Sequence, residues 1–192
     1  MKKILIILGH PDSASFCAGI ADSYEQGAKS AKHKIKRLNL GDIKFDPILH
    51  HGYNKIQELE PDLKQAQKDI KWAKHIVIIT PIWWGLYPAI LKGFIDRVFL
   101  PGFSFKYTGK FTWDKLLPNR SGRIITTSGG PALYYKYIVH APALKALKST
   151  TLNFCGISPV KTTMFGSIRK TTNPKRIEKI LAKVKTLGAK GI

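Results

Sequence analysis

Cysteine is scarce in this chain, because only Cys17 and Cys155 occur among its 192 residues. One possible pair is not the disulfide framework of a small secreted domain, so the sequence indicates a reducing compartment, and we expect the cytoplasm. The six histidines show no metal-ligand spacing beyond the doublet His50-His51. The sequence therefore predicts no bound metal ion.

Long apolar runs are also missing. The two longest, ILIILG and HIVIIT, are far shorter than the roughly 20 apolar residues that a membrane-spanning helix needs. The first run is not followed by a small-residue cleavage site of the kind that ends a signal peptide. We therefore expect a protein that is neither inserted in a membrane nor secreted.

Acidic residues are few, with 12 Asp and Glu against 32 Lys and Arg, which gives a net charge of +20. Such an imbalance favours contact with nucleic acid, anionic lipid or phosphorylated ligands. The basic residues, however, are spread from Lys2 to Lys190 instead of forming one arm, and no nucleic-acid-reading motif is present. The pattern favours a lysine-rich solvated surface and no specific nucleic-acid partner.

Several enzyme motifs are absent. Neither G-x-G-x-x-G nor G-x-x-x-x-G-K-[ST] fits the loop GHPDSASF after the first apolar run, which disfavours a dinucleotide-binding Rossmann domain and a P-loop NTPase. A hydrolase using Ser128 and His140 is disfavoured because G-x-S-x-G is missing and no acid partner is evident.

The apolar pattern that is present predicts an α/β fold. Residues 4–8 and 76–80 are continuously apolar, which is typical of strands buried on both faces of a parallel sheet. Three further strands are predicted at 34–40, where polar and apolar residues alternate, at 122–127 and at 157–165. Helical spacing predicts helices over 15–31, 61–73, from Pro88 onward and over 174–187, with a long surface loop at 42–59.

This order of elements predicts one domain over residues 1–192, a doubly wound five-stranded parallel sheet with helices on both faces. In the helix that begins near Pro88, one face carries Ile90, Leu91, Phe94, Ile95 and Val98. Asp96 and Arg97 are predicted to point away from that buried face.

In such sheets ligands bind at the carboxyl ends of the strands, which places a site on the loops 10–15, 81–87 and 127–134. The first loop offers His10, Ser15 and a helix N-terminus, which suit a phosphate, although Ser15 could be only a helix cap. The second sets Trp83, Trp84 and Gly85 close together. Two tryptophans on a loop suit a planar ligand or a partner subunit, or else they cap the core.

The third loop combines Thr127 and Ser128 with Gly129 and Gly130, so that backbone amides can approach a ligand closely. The pyrimidine edge of a flavin needs such donors, because negative charge gathers there on reduction. A plain glycine turn remains the alternative interpretation.

Taken in order, the motifs LGHPDSASF, PIWWGLYPAILKGFIDRVF, PGFSFKY, ITTSGGPALYY and NFCGI resemble the NAD(P)H:quinone oxidoreductase family, which has a flavodoxin-like fold. The resemblance implies a flavin enzyme that takes hydride from NAD(P)H and passes it, by a ping-pong mechanism, to a quinone or similar planar acceptor. The cofactor would be tightly bound, non-covalent FMN or FAD.

The resemblance also implies roles for individual residues. The implied cofactor-binding residues are His10, Ser15, Phe16, Cys17, Pro81, Ile82, Trp83, Trp84, Gly85, Thr127, Ser128, Gly129 and Gly130. Tyr134 and His140 have the spacing of a family Tyr/His pair that stabilises the reduced flavin, and they are the implied catalytic residues. Cys17 departs from the asparagine often found in the family, and Gly85 departs from a bulky aromatic of mammalian members.

The family further implies a homodimer whose partner subunit completes each active site, with PGFSFKY as a plausible part of the interface. The alternative function is a flavin-binding protein without turnover of its own, either an electron carrier or an ancillary regulatory subunit.

Overall fold

A computed structural model describes all 192 residues. Its centre is a five-stranded parallel sheet with the strand order β2-β1-β3-β6-β7. The strands are β1 (Lys3–Leu8), β2 (Lys34–Asn39), β3 (His75–Pro81), β6 (Arg120–Thr127) and β7 (Ile157–Phe165). The predicted number of strands and their parallel pairing are confirmed.

Helices and a small hairpin complete the molecule. The helices are α1 (Phe16–Ser30), α2 (Pro61–Trp72), α3 (Ala89–Val98), α4 (Ala132–Tyr137), α5 (Pro142–Lys145), a π-helix (Ala146–Asn153) and α6 (Pro174–Lys190). Strands β4 (Phe105–Tyr107) and β5 (Trp113–Lys115) pair antiparallel in a separate two-stranded sheet. The short elements α4, α5, β4, β5 and the π-helix were not predicted. No helix has the length and apolar character that a membrane crossing requires.

The continuous apolar strands are explained by two cores, one on each face of the sheet. In β1, Leu5 and Ile7 face the core formed with α2 and α3, whereas Ile4, Ile6 and Leu8 face the core formed with α1 and α6. Both side-chain directions of a strand must then be apolar. The predicted doubly wound, flavodoxin-like α/β fold is confirmed.

Arg97 corrects one prediction. Instead of pointing away from the buried face of α3, it is 1% exposed. Its guanidinium donates to the carbonyl oxygens of Asp46 (2.6 Å) and Glu58 (2.8 Å) and to the carboxylate of Glu60 (2.9 Å). The charge is tolerated in the interior because these oxygens pair with both terminal nitrogens, and the side chain thereby ties the predicted surface loop to α3.

The aromatic residues of the segment PGFSFKY are less exposed than the prediction of an interface assumed. Phe103 and Phe105 are buried, and only Tyr107 of its aromatic residues is exposed. The two phenylalanines pack within this chain, with the ring of Phe105 5.0 Å from that of Phe154. They therefore need no partner subunit to explain them.

Candidate functional site

A cavity of about 160 Å³ lies at the carboxyl ends of β1, β3 and β6. The order β2-β1-β3 makes the gap between β1 and β3 the place where the chain switches direction across the sheet, which is the expected ligand position. The lining residues are His10, Ser15, Phe16, Cys17, Pro81, Ile82, Trp83, Thr127, Ser128, Gly129 and Ile168. Every one of them except Ile168 is among the residues predicted from the sequence.

The first loop leads into the N-terminus of α1. Ser15 caps this helix, and its hydroxyl accepts from the Ala18 N–H at 3.3 Å. The N–H groups of Phe16 and Cys17 have no hydrogen-bond acceptor within the chain. Together with the positive end of the helix dipole, these free donors form a binding position for an anionic group such as phosphate.

His10 borders the same cavity as a neutral donor. Its Nδ1 accepts from the Asp12 N–H at 2.9 Å, so the ring proton resides on Nε2. Burial lowers the pKa of His10, and the interactions with Asp12 offset only part of this effect. The imidazole lies edge-on to the indole of Trp83, with ring centroids 5.3 Å apart. His10 therefore links the first loop to the second.

Cys17 lies on the buried side of the cavity, where its Sγ is 3.4 Å from Thr127 Oγ1. Burial raises the pKa of this thiol to about 11, and the Thr127 contact only partly offsets the rise. The side chain thus stays uncharged at neutral pH and does not repel an anion at the helix N-terminus.

The second loop is a tight two-residue hairpin. Trp83 and Leu86 exchange backbone hydrogen bonds of 2.8 and 2.9 Å, and the two residues between them have positive φ, +50° for Trp84 and +79° for Gly85. Two successive positive φ values define a type I′ turn, which Gly adopts freely and a bulky residue adopts with strain. The Trp84 side chain is fully exposed, and the N–H groups of Trp84 and Gly85 have no acceptor in the chain.

Tyr135 of α4 supports this turn through hydrogen bonds, a role that the sequence did not reveal. Its hydroxyl donates to the carbonyl oxygen of Gly85 (2.9 Å) and accepts from the N–H of Ala143 (3.0 Å) in α5. The ring is buried. One side chain therefore joins the turn of the second loop to α4 and α5.

In the third loop the Gly130 carbonyl is hydrogen-bonded, whereas the N–H groups of the two glycines are free. Gly130 O accepts from Ser128 Oγ (2.9 Å) and from the Ser167 N–H (2.8 Å), while the N–H groups of Gly129 and Gly130 have no acceptor in the chain. A Cβ at Gly129 would come no nearer than 4.0 Å to Ile168 O, and a Cβ at Gly130 would meet nothing within 4 Å. The glycines thus leave room that the protein itself does not fill.

Ile168 is the lining residue that sequence reasoning missed. It follows β7, and its N–H donates to Ser128 O at 2.9 Å, which seats it beside the third loop. The rule that ligands meet the carboxyl ends of parallel strands applies equally to the loop after the fifth strand. Extending the rule to that loop would have found it.

The structure does not bring Tyr134 and His140 into this cavity. Tyr134 is exposed on α4, and His140 lies beyond the end of α4. His140 instead borders a separate cavity of about 480 Å³, together with Lys136, Lys145 and Met164 among others. Trp84, Gly85 and Gly130 also fall outside the lining but adjoin it along the chain.

Comparisons with known proteins agree with this arrangement. Residues 2–187 match the model of a family described as having a flavodoxin-like fold. An uncharacterized NAD(P)H oxidoreductase of Haemophilus influenzae is 32% identical over 168 residues, which cover 85% of this chain and 83% of that protein. NAD(P)H dehydrogenase [quinone] 1 of Cavia porcellus is 26% identical over 93% of this chain and 73% of its own length.

Two solved structures show the same likeness. Smu.1420 from Streptococcus mutans is 34% identical, with a TM-score of 0.83 over 98% of this chain and 99% of that one. An FMN-dependent NADH-azoreductase from Bacillus anthracis, solved in complex with FMN, is 23% identical, with a TM-score of 0.77 over 99% of both chains. The sheet order, the site at its switch point and these matches together make the chain a member of the flavodoxin-like fold family that includes the NAD(P)H:quinone oxidoreductases.

Proposed function

We propose that this protein binds a flavin in the carboxyl-end cavity and uses it to transfer hydride from NAD(P)H to a quinone or a similar planar acceptor. The observation that carries the proposal is the set of unpaired backbone N–H groups on all three loops around one cavity, at Phe16 and Cys17, at Trp84 and Gly85, and at Gly129 and Gly130. Unpaired donors beside aromatic rings suit a ligand that combines a phosphate with a flat heterocycle.

The three loops would hold different parts of the cofactor. The helix N-terminus at Ser15, Phe16 and Cys17 would take the phosphate, with the neutral His10 as a further donor. Pro81, Ile82 and Trp83 would lie along the ring system, with the turn at Trp84 and Gly85 at its rim. Thr127 to Gly130 would meet the pyrimidine end, where free amides stabilise negative charge.

When bound, the flavin would supply the two-electron chemistry that links a nicotinamide donor to an acceptor. The residues of this chain would supply orientation and electrostatics. The turn held by Tyr135 directly follows Trp83, which lines the cavity, and Tyr134 and His140 on the neighbouring segment are the proposed donors to the acceptor. A ping-pong order follows if donor and acceptor use the same face in turn.

The visible spectrum of the purified protein, followed by mass spectrometry of the released cofactor, tests the binding step. We expect flavin absorbance, with FMN or FAD identified by mass. Steady-state NAD(P)H oxidation with menadione tests turnover, and parallel double-reciprocal lines would support the ping-pong order. Flavin without turnover would favour an electron carrier or ancillary subunit instead, and absence of flavin after reconstitution would overturn the proposal.

A matched pair of glycine variants tests whether the flavin binds in this cavity. Gly129→Val adds a side chain where the protein leaves room for a ligand, so we expect loss of flavin with the fold retained. The control is Gly19→Val, since a Cβ at Gly19 also meets nothing within 4 Å but lies in α1. Equal flavin content in both variants would place the cofactor elsewhere.

We also propose a cytoplasmic homodimer in which a partner subunit covers the exposed apolar side chains near the site. These are Trp84, Leu133, Tyr134, Tyr137 and Ile138, with Tyr107 and Phe111 on the β4–β5 hairpin. Leu133, Tyr134, Tyr137 and Ile138 lie within or directly after α4, and exposed apolar side chains grouped in this way are typical of an interface. Size-exclusion chromatography with light scattering should give twice the chain mass of 21.5 kDa, and a monomer at micromolar protein would contradict the dimer.

A further inference from the structure

A third cavity, of about 340 Å³, lies at the opposite end of the sheet from the proposed flavin site, where the strands begin. It is lined by Met1 and four lysines, Lys2, Lys3, Lys34 and Lys74. Its volume is at the lower end of the range of small-molecule sites. Nothing in the proposed flavin chemistry uses it.

The lysines are brought together by the pairing of three adjacent strands. Lys3 of β1 is the register partner of Lys34 of β2, and the N–H of Lys34 donates to Lys2 O at 2.9 Å. On the other side of β1, the N–H of Lys74, just before β3, donates to Lys3 O at 2.8 Å. Neighbouring strands lie about 5 Å apart, so the positive charges are crowded and repel one another.

The protein itself does not neutralise this cluster. None of the four lysines has a carboxylate within 4.0 Å, and the ammonium groups of Lys34 and Lys74 make no hydrogen bond at all. By contrast, Lys36, two residues further along β2, is paired with Asp69 at 2.5 Å. An acidic residue therefore pairs with a lysine elsewhere on β2, but none pairs with the lysines at the cavity.

The surroundings of the cavity are positive as well. Burial, followed by the charges of Lys2, Arg123, His33 and Lys161, lowers the pKa of His75, which follows Lys74, to about 4. Arg123 is buried, and its guanidinium donates to the neutral hydroxyl of Thr163 at 2.6 Å. This end of the sheet thus holds an uncompensated positive field.

We propose that the amino-end cavity binds a compact polyphosphate anion, either free or as the phosphate chain of a nucleotide. The ammonium groups of Lys34 and Lys74 are free to bind closely spaced phosphates, since each acts as a point charge with three donors. Lys2, whose ammonium donates to Gly191 O at 2.9 Å, and Lys3, whose ammonium lies 5.9 Å from the centre of the Trp72 ring, add positive charge beside them. The lining contains no arginine for bidentate carboxylate recognition and no aromatic ring for stacking a base. The phosphates are therefore the recognised part.

Isothermal titration of the protein as purified, with inorganic tripolyphosphate and separately with ATP, tests this site. We expect saturable binding of one anion per chain. Lys34→Ser/Lys74→Ser removes two ammonium groups that make no hydrogen bond or ion pair within the chain, and we expect affinity to fall at least tenfold, because charge-assisted contacts to the phosphates are lost. The control is Lys44→Ser/Lys68→Ser, which removes two exposed lysines that do not line the cavity and should change affinity less than about twofold.

The two anions distinguish the sources of the phosphate. Similar affinities for tripolyphosphate and ATP would mean that the site recognises the phosphate chain alone. Clearly tighter binding of ATP would mean that the site also recognises the nucleoside. Either result supports the site if the cavity variant loses affinity and the control variant keeps it. Absence of saturable binding, or equal losses in the two double variants, would overturn it. Thermal unfolding without anion serves as the fold check, and the cavity variant should be at least as stable as the parent because lysine repulsion is relieved.

Discussion

At the scale of single residues, Trp84 combines a strained backbone with a side chain that packs on nothing in its own chain. Its φ of +50° costs about 1–2 kcal/mol for a residue with a Cβ, and its indole is fully exposed. Backbone strain that is not offset by contacts within the chain is characteristic of functional positions. The indole is thus placed for a ligand or a partner subunit.

Trp84→Asn should therefore separate stability from function. Asn tolerates the left-handed conformation, so we expect the free energy of unfolding to rise by about 1 kcal/mol in urea denaturation. Turnover with menadione should fall, because the exposed ring is lost. Trp84→Phe is the control and should keep the parent stability; an Asn variant less stable than the parent would show that the indole contributes to the fold.

His75 is a second residue whose behaviour follows from its surroundings. It is buried, its Nδ1 lies 2.7 Å from Ser121 Oγ, and its Nε2 has no partner. Burial, followed by nearby cations, lowers its pKa to about 4, against about 6.5 in an unfolded chain. Between these values the unfolded chain binds a proton that the folded chain excludes, so stability is complete above about pH 6.5 and falls as the pH drops toward 4.

His75→Val should remove this part of the acid sensitivity. The free energy of unfolding of the parent should fall by roughly 3 kcal/mol more than that of the variant between about pH 7 and pH 4. Urea denaturation at several pH values measures the difference. Parallel pH profiles for the two proteins would contradict the buried neutral histidine.

At the scale of elements, the connection between the second loop and α4–α5 depends on one hydroxyl. Tyr135 bonds Gly85 O and the Ala143 N–H, and the backbone between α4 and α5 is in the left-handed region at His140 (+59°) and Ala141 (+47°). Pro142 then begins α5. The hydroxyl thus supports a strained connection as well as the turn.

Tyr135→Phe should loosen this connection. Two backbone groups lose their partner, one of them buried, so we expect a loss of about 1–3 kcal/mol in the free energy of unfolding. We also expect a lower kcat with menadione, because the turn at Gly85 is no longer fixed. Tyr137→Phe is the matched control, since Tyr137 is exposed, and it should stay within about 0.5 kcal/mol of the parent. Equal effects of the two substitutions would show that Tyr135 acts only as a core ring.

At the scale of the whole molecule, the charge of +20 is a property of the entire surface, and the amino end of the sheet is one place where it is concentrated. Excess charge of one sign destabilises a compact state through self-repulsion. Salt shortens the range of that repulsion from about 10 Å at 0.1 M to about 3 Å at 1 M.

Stability should therefore rise with salt. Raising NaCl from about 0.05 M to about 0.5 M should increase Tm, measured by calorimetry, because repulsion is screened more than the few ion pairs are weakened. Lys44→Glu/Lys68→Glu lowers the net charge at exposed positions and should reduce the increase in Tm. A Tm that falls with salt in the parent would show that attractive pairs dominate.

The parallel sheet, its principal helices and most of the lining of the carboxyl-end cavity could be predicted from the sequence. Buried parallel strands require continuous apolar runs, and ligands meet the loops that follow those strands, so local pattern and one topological rule suffice. Ten of the predicted positions, from His10 to Gly129, line the cavity for that reason.

Other features depend on contacts between residues distant in sequence, and local pattern cannot reveal them. Arg97 is buried because the loop from Asp46 to Glu60 folds over it, and Tyr135 supports Gly85 from 50 residues away. The four lysines at the amino end of the sheet also come together through contacts that are distant in sequence. From the composition they are indistinguishable from the other lysines of a solvated surface. Strand pairing decides which charges become neighbours, and only the tertiary structure shows that these are gathered around one cavity.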